Sequence, residues 1–289
     1  MCEIFTVELC MSEEEFEASL TEKEIEEQFE RLTITNDFIF SRVMEDEEIC
    51  QSVLQAFLGD DIHIASVAVQ RFIDNSIEAK AVRLDVLAKD AKGNNYNIEM
   101  QVVNNDSIPK RMRMYQSSID LDYFNKGEEY KSAKNTIVIF ICMQDPIGQG
   151  LPIYTFENLC KEDTSIALGD GTLKVIVVPP LYWKLKTSEK KAILEYIDSG
   201  NVSSDFTRRL DMRVAGVKYN QVIKHEYLSF YLRMQKAEED GEKRGEARGE
   251  ARGEAKERRE TARRMKKKGC DFTFIAEMTG LKEEEIENL

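Results

Sequence analysis

Residues 82–102 read VRLDVLAKDAKGNNYNIEMQV. Val82, Leu84, Val86 and Ala88 alternate with Arg83, Asp85, Leu87 and Lys89. Tyr96, Ile98, Met100 and Val102 alternate with Asn97, Glu99, Gln101 and Val103. Period two predicts two strands, because successive strand side chains point to opposite faces. A three-residue loop, Ala91, Lys92 and Gly93 with the glycine left-handed, closes a hairpin between them. That loop pairs Asp90 with Asn94. Counting back, Asp85 faces Glu99 and Arg83 faces Gln101, so four polar groups share one sheet face. Opposed Cβ atoms lie about 5 Å apart. Strands disfavour Asp and Glu, and a buried carboxylate is costly unless it is paired or binds a metal.

The flanking segments predict a layered α/β domain. Residues 33–44 (TITNDFIFSRVM) read as a helix capped by Thr35 or Asn36. Residues 47–59 (EEICQSVLQAFLG) read as a second helix, stopped by Gly59. Residues 64–73 read as a strand. A helix over 107–127 starts at Ser107 with Pro109 in its first turn. Its core stripe is Met112, Tyr115 and Ile119; the Tyr115 hydroxyl alone can reach toward the hairpin. The apolar run 135–143 (NTIVIFICM) fits a strand covered on both faces. Residues 173–180 (LKVIVVPP) fit another, closed by prolines. Residues 187–200 and the stretch to about 235 read as helices. Together these give a mixed β-sheet flanked by helices, with a helical C-terminal extension.

Composition narrows the chemistry. The 289 residues carry a net charge of −14 and only two histidines, His63 and His225. A Cys/His zinc site and a His-based triad are therefore disfavoured, and any metal must be held by oxygens. The six cysteines form no CxxC pair and fit reduced thiols in a cytoplasm. No secretory signal is read at the start, and no run reaches the roughly 18 apolar residues of a membrane span. Neither GxxxxGK[ST] nor GxGxxG after a strand occurs.

Charge also marks organisation. Residues 1–30 hold 11 acidic residues and one basic residue, and read as a solvated helix or acidic tail. A core over 31–182 and a helical extension over 183–235 follow. Residues 236–268 are net +4 and contain the four-residue repeat GEKRGEARGEARGEAK. A helix of this composition has no apolar stripe, and each interior glycine costs about 1 kcal/mol against alanine. A charged linker is one reading of it; a self-association zipper is the other. Residues 269–289 read as a small module of two helices joined at Thr279 and Gly280. The glutamates of KEEEIENL in its second helix would repel phosphates.

On spacing alone, Arg83, Asp85, Glu99 and Gln101 form either a polar network on a solvated face or an oxygen-ligand site. Hard cations such as Mg²⁺ bind through one or two carboxylates plus waters and substrate phosphate. Asp37, in the first turn of its helix, is either a further ligand or a carboxylate favoured by the helix dipole.

Several stretches carry a resemblance. The pattern Asp85-(x13)-Glu99-x-Gln101 on a hairpin, followed by a basic helix, is similar to the PD-(D/E)xK nuclease superfamily. NDFIF (36–40), residues 82–101, KRMRMYQSSIDLDYF (110–124), the charged Gly-Glu repeats and FIAEMTGLKEEEIENL resemble the Rpn-like recombination-promoting nuclease and transposase family of bacteria. The resemblance implies a restriction-endonuclease-like core and metal-dependent cleavage of DNA, with Mg²⁺ as cofactor and Mn²⁺ able to substitute. Asp85 and Glu99 would bind the metal, with Asp37 as an added ligand. Gln101 stands where the superfamily usually has lysine. A neutral amide can only hydrogen-bond, so a cation from Arg83, Lys80, Lys110 or Arg111 would supply charge. Arg111, Lys110 and Arg83 would contact DNA. The alternative is a weakly active or inactive DNA-binding or assembly protein on the same fold, with self-association through the repeat and terminal helices.

Overall fold

The computed structural model describes residues 13–59, 61–73, 82–103, 107–124 and 126–289. The chain divides into two compact units, Met1–Tyr227 and Leu228–Leu289.

The first unit opens with α1 (Glu13–Arg31), which is not wholly solvated: Ile25 and Phe29 are buried, and Phe29 packs on the Tyr227 ring. Helix α2 (Asp37–Met44) is capped by Asn36, whose side chain accepts from the Phe38 and Ile39 N–H groups. Asp46 caps α3 (Glu47–Leu58) in the same way. Strands β1 (Ile64–Ile73), β2 (Val82–Asp90) and β3 (Asn95–Gln101) follow. Helix α4 (Ile108–Tyr123) crosses to β4 (Thr136–Cys142), and β5 (Ile153–Phe156) and β6 (Thr172–Val177) complete the sheet. Helices α5 (Glu189–Ser199) and α6 (Asp205–Tyr219) pack beyond it.

The described strands form one six-stranded mixed sheet in the order β1-β2-β3-β4-β6-β5. β3 runs antiparallel to β2 and parallel to β4, so it is central and buried nearly throughout. The hairpin has the expected register: Val86 pairs with Ile98, Ala88 with Tyr96 and Lys89 with Asn95. Gly93 takes φ 87°, the left-handed value that a three-residue loop needs. Asp90 anchors that loop by accepting from the Lys92 and Asn94 N–H groups. Ile108 and Met112 of α4 pack on Val138, Phe140 and Cys142 of β4. Each fully buried side chain of this size contributes about 1.5–3 kcal/mol.

Four readings of the sheet and of α4 change here. The helix read over 107–127 ends at Tyr123. The last strand ends at Val177, and Pro179–Lys184 forms a 3-10 turn, because proline cannot donate to a ladder. The edge strand β5 was not anticipated; four residues show too little alternation. Ser107 stands at the α4 N-cap, but its side chain makes no capping bond; its carbonyl accepts from Arg111 instead.

In the second unit, α8 (Phe272–Thr279) and α9 (Glu283–Glu287) fold against the end of α7 (Gln221–Lys267). Ala262, Ile275 and Ile286 are its buried centre, and Gly280 ends α8 at φ 69°. The repeat is helical: α7 is continuous through it. Alanine, glutamate and arginine are strong helix formers. Where the repeat decays, Glu254–Arg258 and Glu260–Arg264 pair at i,i+4.

Candidate active site

The backbone ladder of the hairpin stops at Val86 and Ile98, and the next N–H groups turn to side chains. The Asp85 N–H donates to Glu99 Oε1 at 3.0 Å, and the Met100 N–H donates to Asp85 Oδ2 at 3.1 Å. Two buried carboxylates are thereby fixed side by side. Burial, opposed by the Met100 bond and reinforced by Asp37, pushes the Asp85 carboxyl up to about 6. Burial and the neighbouring Asp85 charge push Glu99 well above its ordinary value. Among the described residues, neither carboxylate has a lysine or arginine within ion-pair distance. Arg111 eases both charges from further off.

A cavity of about 600 Å³ opens over this pair. Its walls carry Asp37, Arg83, Gln101, Lys110, Arg111 and Tyr115 besides the two acids. Parallel pairing of β3 with β4 sets Glu99 beside Phe140 and Gln101 beside Cys142. Helix α4 covers this face and brings its first turns to the cavity. Arg111 donates to Gln101 Oε1 at 2.5 Å and to the Tyr115 hydroxyl at 3.0 Å. Its guanidinium also lies over the Tyr115 and Phe140 rings, 5.4 and 5.2 Å from their centroids. The Gln101 amide is engaged at both ends, because Nε2 donates to the Val103 carbonyl at 2.6 Å.

Asp37 reaches the cavity from the start of α2, where its Oδ2 accepts from Arg83 at 3.0 Å. Among the described residues no three His, Cys, Asp or Glu side chains gather to hold a metal ion. Asp37 thus pairs with Arg83 and lines the same cavity as the acidic pair, near enough for its charge to raise the Asp85 carboxyl. Lys110 lines the cavity with its side chain exposed. Lys80 lies outside the described residues.

Sequence reasoning missed Asn97. It is fully buried on the Glu99 face of β3, and among the described residues its amide falls short of hydrogen-bond geometry with any group. It still lies close enough to Glu99 to favour the ionised carboxylate. Its signal was an amide two places from Glu99 inside a central strand. Met114, exposed beside Arg111, also lines the cavity unforeseen.

A mixed sheet with helices on it, an acidic pair on an antiparallel hairpin and basic side chains around the cleft define a restriction-endonuclease-like fold. Residues 34–152 match the family model of PD-(D/E)XK nuclease family transposases. The PD-(D/E)XK assignment that the motifs imply holds for this segment, and it points to nuclease-type function. No curated protein and no solved structure matches the chain. Among the described residues, no helix is long and apolar enough to cross a membrane.

Proposed function

We propose that this protein is a Mg²⁺-dependent DNA endonuclease of a recombination-promoting, transposase-like type, acting in the bacterial cytoplasm. One observation carries the reading. Asp85 and Glu99 are buried side by side with no ion-pair partner among the described residues, an arrangement that is costly unless a cation joins it.

The donor set fits a hard divalent ion, which takes one or two carboxylates and fills its other positions with water and phosphate oxygens. When bound, such an ion polarises a phosphoryl oxygen and lowers the pKa of bound water. Asp85 and Glu99 would hold it, on rigid strands. A water oxygen bonds to phosphorus as the bond to the leaving deoxyribose oxygen breaks; one of the water's protons ends on that oxygen as a hydroxyl and the other is released to solvent. Arg111 stabilises the charge that grows on the phosphoryl oxygens. Gln101 replaces the usual lysine indirectly, by fixing the guanidinium that supplies the charge. Lys110 and Arg83 hold flanking phosphates, and Asp37 orients Arg83.

A second reading has its own support. Each end of the Gln101 amide already makes one protein hydrogen bond, so the lysine position has no charge and its amide is drawn toward Arg111 and Val103. On that reading the fold is a DNA-binding or assembly protein with little chemistry, and α7 to α9 mediate self-association.

The test is nicking and linearisation of supercoiled plasmid by the full-length protein in Mg²⁺, Mn²⁺ or EDTA, with Asp85→Ala and Glu99→Ala in parallel. Metal-dependent cutting that both variants lose supports the nuclease. Uncut plasmid under every ion, with DNA still retarded in a gel, supports the second reading.

A further inference from the structure

A second cavity, of about 450 Å³, opens at the other end of α4 on the same sheet. Lys89 and Asn95, which line it, lie four residues along their strands from Asp85 and Glu99, about 13 Å away. The two cavities are therefore separate, and nothing in the proposed chemistry uses this one.

Three of its features point to one ligand class. The first is a flat aromatic wall. Phe124 and Tyr130 stack at 5.7 Å with 14° between their planes, and Tyr130 is 89% exposed. Such a ring is a platform with an open face. The second is Asn95, only 2% exposed, whose Oδ1 has no hydrogen-bond partner among the described residues although the residue lines the cavity. A buried acceptor left unmade is costly, so the site asks for an N–H donor. The third is a pair of lysines, Lys89 and Lys134, in a lining that also carries Asp120, Glu128 and Asp170. Lys89 Nζ sits 4.3 Å from the centre of the Tyr123 ring. Lys134 lies across Gly93, where an added Cβ would come within 3.3 Å of its chain.

A hydrocarbon would leave Asn95 unpaired, and a plain anion would leave the aromatic wall unused. A nucleobase with its phosphate engages all three: ring faces on Tyr130, an N–H to Asn95, and phosphate toward Lys89 or Lys134. We propose that this cavity is a nucleotide-binding pocket, taking one nucleobase by stacking and by a hydrogen bond to Asn95. The base comes from a free nucleotide or from a single strand. The proposal goes beyond the nuclease reading and stands or falls without it.

The experiment is calorimetric titration of the full-length protein in EDTA. The ligands are dAMP, dGMP, dCMP and TMP, with 2-deoxyribose 5-phosphate as the baseless control. A short single-stranded oligonucleotide and the same strand with one abasic site form the second arm. Saturable binding of at least one nucleotide, none of the baseless sugar phosphate, and about tenfold weaker binding by Tyr130→Ala are expected. Tyr130 is exposed enough for that variant to fold. Asn95→Leu should weaken binding as well. Tighter binding of the intact strand than of the abasic one identifies a strand as the source; equal binding identifies the free nucleotide. Absence of saturable binding, or indifference to Tyr130→Ala, overturns the proposal. So does loss of binding in Asp85→Asn, which would place the nucleotide in the carboxylate cleft.

Discussion

Asp85 and Glu99 grip one another through the main chain: the Asp85 N–H is held by Glu99 Oε1 at 3.0 Å. Asp85 Oδ2 in turn holds the Met100 N–H at 3.1 Å. The bonds fix both carboxylates in place while their charges repel. Asp85→Asn and Glu99→Gln keep the accepting oxygens and remove a charge. Each should abolish plasmid cleavage yet stabilise the metal-free protein by about 1–2 kcal/mol, as relief of buried like charge does. Thermal melting in EDTA reads this as a rise of a few degrees. A lower melting temperature in both variants would mean that the pair is a structural network.

Arg111 joins Gln101, Tyr115 and the Phe140 ring in one contact set. Arg111→Ala should slow cleavage about 10²-fold, the scale of losing one preorganised donor. It should also reduce the salt slope of DNA binding by about one. Arg111→Lys should fall between, because an ammonium lacks the planar fork that reaches both partners. Cleavage rates and binding anisotropy across a salt series check these outcomes. An unchanged rate in the alanine variant would remove Arg111 from the mechanism.

Asp90 clamps the hairpin loop with bonds from Lys92, Asn94 and Tyr96. Burial opposes its charge, but the bonds from Asn94 and Tyr96 outweigh that and hold its pKa below the ordinary value. A depressed folded pKa stabilises above the unfolded value and is lost as pH falls through the folded one. Asp90→Ala should cost about 2–3 kcal/mol at pH 7. The gap to wild type should narrow below about pH 4. Urea unfolding at several pH values decides it; a gap independent of pH would assign the loss to packing.

Gly245, Gly249 and Gly253 sit inside α7 with open space where a Cβ would go. Replacing all three by alanine should raise local helix stability by about 1 kcal/mol per site. Hydrogen-exchange protection over residues 241–260 should rise while plasmid cleavage stays unchanged. Unaltered protection would mean that something other than propensity sets the stability of this helix.

The hairpin was legible in the sequence because strand period and loop length fix register locally, and one slip would exchange Asp85 for Leu84 on the site face. The apolar run of β4 was legible for a similar reason. The partners of the site cations were not. Asp37 meets Arg83 across 46 residues and Arg111 meets Gln101 across the turn from β3 into α4, and periodicity says nothing of such pairings. The length of α7 was not legible because its glycines were weighed singly, whereas helix propagation depends on the whole run.

The placement of β3 between an antiparallel and a parallel neighbour also bears on the order of assembly. The hairpin closes over a short loop, an event of about 1–10 μs, whereas the β3–β4 pairing must wait for a crossover through α4. The acidic half of the cleft is therefore a product of local folding. Arg83 comes with it on β2, whereas Lys110 and Arg111 arrive later, when α4 docks and Arg111 meets Gln101. During that interval the nascent chain has its two carboxylates together while the Arg111 guanidinium is not yet beside them.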